Sequence, residues 1–149
     1  MKISVQLDDN LQEIEILIKT AVINDDVNTI IEKLKDEKPK IIVGFIDDNA
    51  KILDESSIIR VYSANKKIYA VTDKFEYNLK IPLYEVNERV NQNHFVRISN
   101  TEIINLKQVV EFDLSFTGTI CIKLSNGTIS YVSRRYVTNI KKTLGIGGK

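Results

Sequence analysis

Apolar residues recur along this chain with two periods, and the switches between them mark its elements. Ile3, Val5 and Leu7 alternate with Ser4 and Gln6, and Ile14, Ile16 and Ile18 alternate with Glu15 and Leu17. That spacing predicts two half-buried strands turned by Asp8-Asp9-Asn10. From Asn24 the period lengthens: Val27, Ile30, Ile31 and Leu34 share a helical face, with Asp25 or Asp26 as N-cap and Pro39 beyond the end. This predicts a helix over roughly residues 26 to 37. Residues 40–46 read as a third strand, so residues 1–45 are expected to form a small α+β (β-β-α-β) unit that packs on the remainder of the chain.

After Asp47-Asp48-Asn49 come short strands near residues 51–53, 58–63, 67–72 and 75–81, with Ala64-Asn65-Lys66 as one of the turns. Pro82 then precedes Leu83, Val86 and Val90 at helical spacing. Strand patterning resumes at residues 95–98, 109–113, 119–124 and 128–132, and Asn126-Gly127 is a two-residue hairpin signal. Val137, Ile140 and Leu144 predict a closing helix, and Gly145, Gly147 and Gly148 a flexible tail. Residues 46–149 are thus expected to be mainly β.

Charge divides the chain. Up to Glu55 there are seven Lys/Arg against thirteen Asp/Glu, and beyond it fourteen against seven. A basic C-terminal part suits a polyanionic partner, because Lys and Arg contacts to phosphate dominate nucleic-acid affinity. The lone Cys121 excludes an internal disulfide and a Cys-rich zinc site, and a reducing cytoplasm is the natural setting. Met1 to Asp9 contain no continuous apolar run, and nowhere do eighteen apolar residues run together, so neither a signal peptide nor a membrane span is expected.

Catalytic chemistry has few candidates. His94 lies in the polar Asn91-Gln92-Asn93 loop and Cys121 sits between isoleucines, so a Cys/His pair is not expected. The doublets Asp8-Asp9, Asp25-Asp26 and Asp47-Asp48 fit turn and helix-start chemistry better than metal ligation. Gly145-Ile146-Gly147-Gly148-Lys149 lacks the Ser/Thr and helix that a phosphate loop needs. No catalytic residue, metal or cofactor is expected. Three elements suit a nucleic acid instead: Asn65, Lys66 and Lys67; Ser99, Asn100 and Thr101; and Ser133, Arg134 and Arg135. Arg pairs with guanine O6 and N7, Asn with adenine, and hydroxyls with phosphate. Spacing leaves open whether these loops converge or are ordinary solvated turns.

Residues 44 to 144 resemble the LytTR family of bacterial DNA-binding domains. The likeness rests on Phe95-Val96-Arg97-Ile98, on Ile103-Ile104-Asn105-Leu106, and on Asn126-Gly127 with Val132-Ser133-Arg134-Arg135-Tyr136 after it and a closing Leu144. The resemblance implies an antiparallel β fold of small sheets with little helix, whose loops enter successive major grooves of double-stranded DNA. It implies Lys66 and Lys67 on the first DNA-facing loop, Ser99, Asn100 and Thr101 on the second, and Arg135 as the base-reading arginine, with Arg134 clamping phosphate or sharing the readout. The family often carries His-Arg-Ser where this chain has Ser99-Asn100-Thr101, so affinity through that loop is expected to be weaker. The short acidic N-terminal part resembles the extensions of stand-alone LytTR regulators rather than a receiver domain, and phosphorylation control is not expected. Some such regulators are restrained by a small membrane protein, so residues 1–45 are expected to serve dimerisation or such restraint, with completion of the core as the alternative.

Residues and resemblance together imply a cytoplasmic transcriptional regulator, not an enzyme, that binds repeated promoter sites as a homodimer or as paired monomers. A protein-interaction module using exposed strand edges or the acidic N-terminal unit is the alternative. An enzyme acting on a phosphorylated ligand would need a general base or metal, for which no candidate stands out.

Overall fold

The computed structural model describes residues 1–35 and 40–146, and the chain falls into two compact units, Met1–Glu37 and Lys38–Lys149. In the first, the helical period is realised as α1 (Asp25–Leu34). Its N-cap is Asn24 rather than Asp25 or Asp26: Asn24 Oδ1 accepts from the Val27 amide at 3.1 Å. Asp25 and Asp26 occupy the first turn, where carboxylates complement the helix dipole. The expected helix end near residue 37 lies outside the described residues.

The two expected N-terminal strands do not form. Residues 1–24 hold no strand, and Ile3, Val5, Leu7 and Ile14 are at least 80% exposed. Alternation specifies a strand only when a partner is available, and two strands alone are marginal in water. The third strand of the expected β-β-α-β unit belongs to the second unit.

That unit runs β1 (Ile42–Ile46), β2 (Asn49–Leu53), β3 (Arg60–Ala64), β4 (Lys67–Val71), β5 (Glu76–Leu79), α2 (Leu83–Arg89), β6 (Phe95–Ser99) and β7 (Glu102–Asn105). It continues through β8 (Val109–Asp113), β9 (Ile120–Leu124), β10 (Ile129–Val132) and α3 (Arg134–Leu144). One antiparallel sheet has the order β2-β1-β5-β4-β3-β7-β6, and a second β10-β9-β8. The boundary expected after residue 45 therefore falls earlier, because β1 pairs with β2 and with β5.

Apolar side chains on opposite faces of the larger sheet build two cores. Ile58, Phe95 and Ile103 join one core with Leu83 and Val86 of α2, while their neighbours Ile59, Val96 and Ile104 join another with Ile120, Ile122, Leu124 and Ile140. Consecutive residues on a strand point to opposite faces, so adjacent apolar pairs mark strands covered on both sides. This is why β7 escapes a search for strict alternation. Asn105, at its end, is buried but satisfied: Nδ2 donates to the Ile58 carbonyl at 2.9 Å and Oδ1 accepts from the Lys107 amide at 3.0 Å. It thereby pins the end of β7 to the chain entering β3.

Asn126-Gly127 does turn the chain between β9 and β10, but within residues 125–128, and of the pair only Gly127 has positive φ, at 86°. Gly145 ends α3 at φ 70°, with its amide donating to the Lys142 carbonyl at 3.1 Å. The expected tail at Gly147 and Gly148 lies outside the described residues.

Candidate nucleic-acid interface

The β3–β4 turn presents Asn65 and Lys66, and Lys67 opens β4; all three are exposed. Asn65 and Lys66 have φ of 52° and 64°, the left-handed pair that a tight hairpin requires. Lysine at such a position costs about 1–2 kcal/mol from β-carbon sterics. The β6–β7 turn, Ser99-Asn100-Thr101, is braced from within. The Thr101 amide donates to Ser99 Oγ at 3.1 Å, and the two hydroxyls lie 3.2 Å apart. Arg97 clamps the turn from the strand: its Nε donates to the Ser99 carbonyl at 2.9 Å and its Nη2 to that of Asn100 at 2.6 Å.

The third element starts α3. The Ser133 amide donates to the Ile98 carbonyl at 2.8 Å, and its side chain makes no capping bond. Arg134 and Arg135 come next, both exposed. The Arg134 guanidinium passes Gly118, where an added Cβ would stand 3.5 Å from its Nε. The Arg135 guanidinium lies 5.6 Å from the centre of the Tyr136 ring.

Contacts made by flanking residues link the three elements, although Ser133, Arg134 and Arg135 do not line the groove that Lys66, Lys67 and Asn100 share. The Ser63 amide donates to the Thr101 carbonyl at 2.8 Å, tying the first to the second. The Tyr136 hydroxyl donates to Asn100 Oδ1 at 3.0 Å, tying the second to the third. Lys66, Lys67 and Asn100 line one open groove of about 620 Å³ with Lys80, Asn78 and Pro82. Lys80 is a groove cation that the sequence pattern does not single out, and its Nζ sits 4.3 Å from the centre of the Phe45 ring. Its signal in the sequence is a single cation before Ile81-Pro82, too common to weigh.

The positive charge is uncompensated. Among the described residues, none of Lys66, Lys67, Lys80, Arg134 or Arg135 takes part in an ion pair. Glu102, one residue beyond the second turn, is engaged elsewhere: it accepts from Arg60 Nε at 2.8 Å and from Ser130 Oγ at 2.9 Å. A hydrogen bond to Glu76, then burial, pushes the Tyr62 hydroxyl up to about 12, and the Ser115 hydroxyl and amide hold Asp113 below the usual carboxylate range. The described residues include no group of three or more His, Cys, Asp or Glu side chains placed to hold a metal ion. No described helix is long and apolar enough to cross a membrane.

An open cationic groove bordered by amide and hydroxyl donors, on turns fixed by a rigid sheet, defines a nucleic-acid-binding module. The chain belongs to the LytTR family: residues 48–145 match the LytTr DNA-binding domain. A solved LytTr DNA-binding domain from Bacillus cereus shares the fold with TM-score 0.68 and 20% identity, covering 71% of this chain and 97% of that one. An HTH-type transcriptional regulator of Staphylococcus aureus strain NCTC 8325 is 35% identical over 147 residues, which cover 98% of this chain and 99% of the relative. Its counterpart in strain MRSA252 is 34% identical over the same span. In the present chain the described helices are separated by strands, so none forms a helix-turn-helix.

Proposed function

We propose that this chain is a sequence-specific transcriptional regulator that reads major-groove bases of double-stranded DNA through loops of its β scaffold, performing no chemistry. It acts in the cytoplasm, as a homodimer on repeated promoter sites. The relatives' names support regulation, and the observation that carries DNA readout is the Tyr136–Asn100 hydrogen bond beside a groove lined by Lys66, Lys67 and Lys80. Arg135 reads guanine through O6 and N7, while Lys66, Lys67, Lys80 and Arg134 meet phosphate. Asn100 differs from a free asparagine, since Tyr136 occupies its acceptor oxygen and leaves the amide nitrogen to donate to a base edge or phosphate. Ser133 adds a hydroxyl at the start of α3. Ser99 and Thr101 shape their turn and offer weaker contacts, because their hydroxyls engage each other. A membrane protein that restrains the regulator would act through the acidic N-terminal unit.

Selection of duplexes from a random pool by the full chain tests this reading. A short enriched motif, repeated at a spacing of about one or two helical turns, is expected. Enrichment of no sequence would overturn it and favour a protein-interaction module.

A further inference from the structure

The Met1–Glu37 unit carries two segments of alternating apolar residues that are largely exposed, although Ile18 is half-buried and Leu17, between Ile16 and Ile18, is 79% exposed. Ile3, Val5 and Leu7 are 80%, 85% and 90% exposed, and Ile14 and Ile16 are 91% and 63% exposed. Among the described residues, residues 3–7 and 14–18 make no backbone hydrogen bond. Alternating apolar side chains on unpaired backbone are the two halves of a strand-pairing surface.

Charge argues against pairing the segments with each other. The register that sets Ile3 against Ile18, Val5 against Ile16 and Leu7 against Ile14 also sets Lys2 against Lys19 and Asp8 against Glu13. Like charges directly across a ladder are destabilising. Pairing each segment with its own copy reverses the outcome. An antiparallel pair centred on Ile16 sets Ile14 against Ile18 and Glu13 against Lys19, and one centred on Val5 sets Ile3 against Leu7 and Lys2 against Asp8. Both segments are therefore self-complementary in apolar pattern and in charge, as a two-fold contact between identical chains requires.

The amount of surface is also suitable. Covering the five exposed side chains Ile3, Val5, Leu7, Ile14 and Ile16 removes roughly 100 Å² each, somewhat over half of the approximately 800 Å² per partner of a standard interface. Similarity to the staphylococcal regulators extends over 98% of this chain, so it reaches these segments, which lie outside residues 48–145.

We infer that residues 3–18 are a self-association element, in which residues 3–7 and 14–18 of one chain pair antiparallel with the same segments of a second copy. This deepens the dimeric reading proposed above and rests on it for its purpose. Each half-site reader is thereby tethered to its twin through a strand contact made before DNA is met.

The test uses the full chain without DNA, with Cys121→Ser removing the native thiol. Ile16→Cys places two thiols at the two-fold axis, within the Cα separation a disulfide accepts, whereas Glu15→Cys has its mate at position 17. Mild oxidation should cross-link the Ile16 variant at least roughly tenfold faster than the Glu15 variant. In sedimentation, Ile16→Asp should raise the dimer dissociation constant at least roughly tenfold. Glu13→Lys should weaken the dimer, and adding Lys19→Glu should restore it. A monomeric parent chain, equal cross-linking at both positions, or a dimer indifferent to Ile16→Asp would overturn the inference. A chain that dimerises this way but selects no DNA removes the DNA reading and leaves this interface standing, whereas a monomer that selects DNA removes only the interface.

Discussion

The Tyr136 hydroxyl donates to Asn100 Oδ1 at 3.0 Å, joining the first turn of α3 to the β6–β7 turn across 36 residues of sequence. This bond orients the asparagine amide and ties together two elements proposed to face DNA. Tyr136→Phe removes the donor and keeps the ring. DNA affinity should fall about three- to tenfold, the equivalent of one hydrogen bond of roughly 0.5–1.5 kcal/mol. Equilibrium binding to the selected duplex, with the thermal midpoint as control, checks it; unchanged affinity would show that the bond does not preorganise the loop.

Lys66 couples stability to binding with opposite signs. Its φ of 64° is costly for lysine and free for glycine. Lys66→Gly relieves that strain but adds unfolded-chain entropy, so a net gain of about 0.5–1 kcal/mol in unfolding free energy is expected. The same change should weaken DNA binding and flatten its salt dependence by about one unit of slope. Urea unfolding and a salt titration of the variant decide both signs.

Asn105 belongs to the motif that carries the family resemblance, yet it faces the interior. Replacing it with alanine leaves the Ile58 carbonyl without the Nδ2 donor and the Lys107 amide without the Oδ1 acceptor. The variant should lose about 1–3 kcal/mol in stability, with DNA affinity unchanged where it is folded. Affinity lost without stability lost would contradict a purely structural role.

The legibility of the chain tracked the availability of partners. Most of β2 to β6 and β8 to β10 could be read from alternation and turn residues, because their neighbours lie close in sequence or their turns are strongly marked. Alternation around Val5 and Ile16 is equally clear but misled, since side-chain pattern reports what a strand would bury and not whether a partner exists. Ile103-Ile104 misled in the other direction, as a strand buried on both faces loses its alternation. The residues proposed for the site stood out by type and by resemblance. Their convergence did not, because it depends on the non-local order β4-β3-β7-β6 and on the return of α3 to β6. Lys80 and the clamping role of Arg97 emerge only from that arrangement.

Five uncompensated cations, Lys66, Lys67, Lys80, Arg134 and Arg135, are proposed to meet one duplex, and every other functional expectation depends on their doing so. The most direct measurement is the affinity of the full chain for its selected duplex across a salt series, repeated with Lys80→Ala and Arg135→Ala. Log K should fall against log salt with a slope of roughly −4 to −5. Lys80→Ala should reduce that slope by about 0.9 with base preference intact, and Arg135→Ala should cost about 1–3 kcal/mol while relaxing preference at one position. A slope near zero, or an Arg135→Ala variant that binds and discriminates like the parent, would contradict the account.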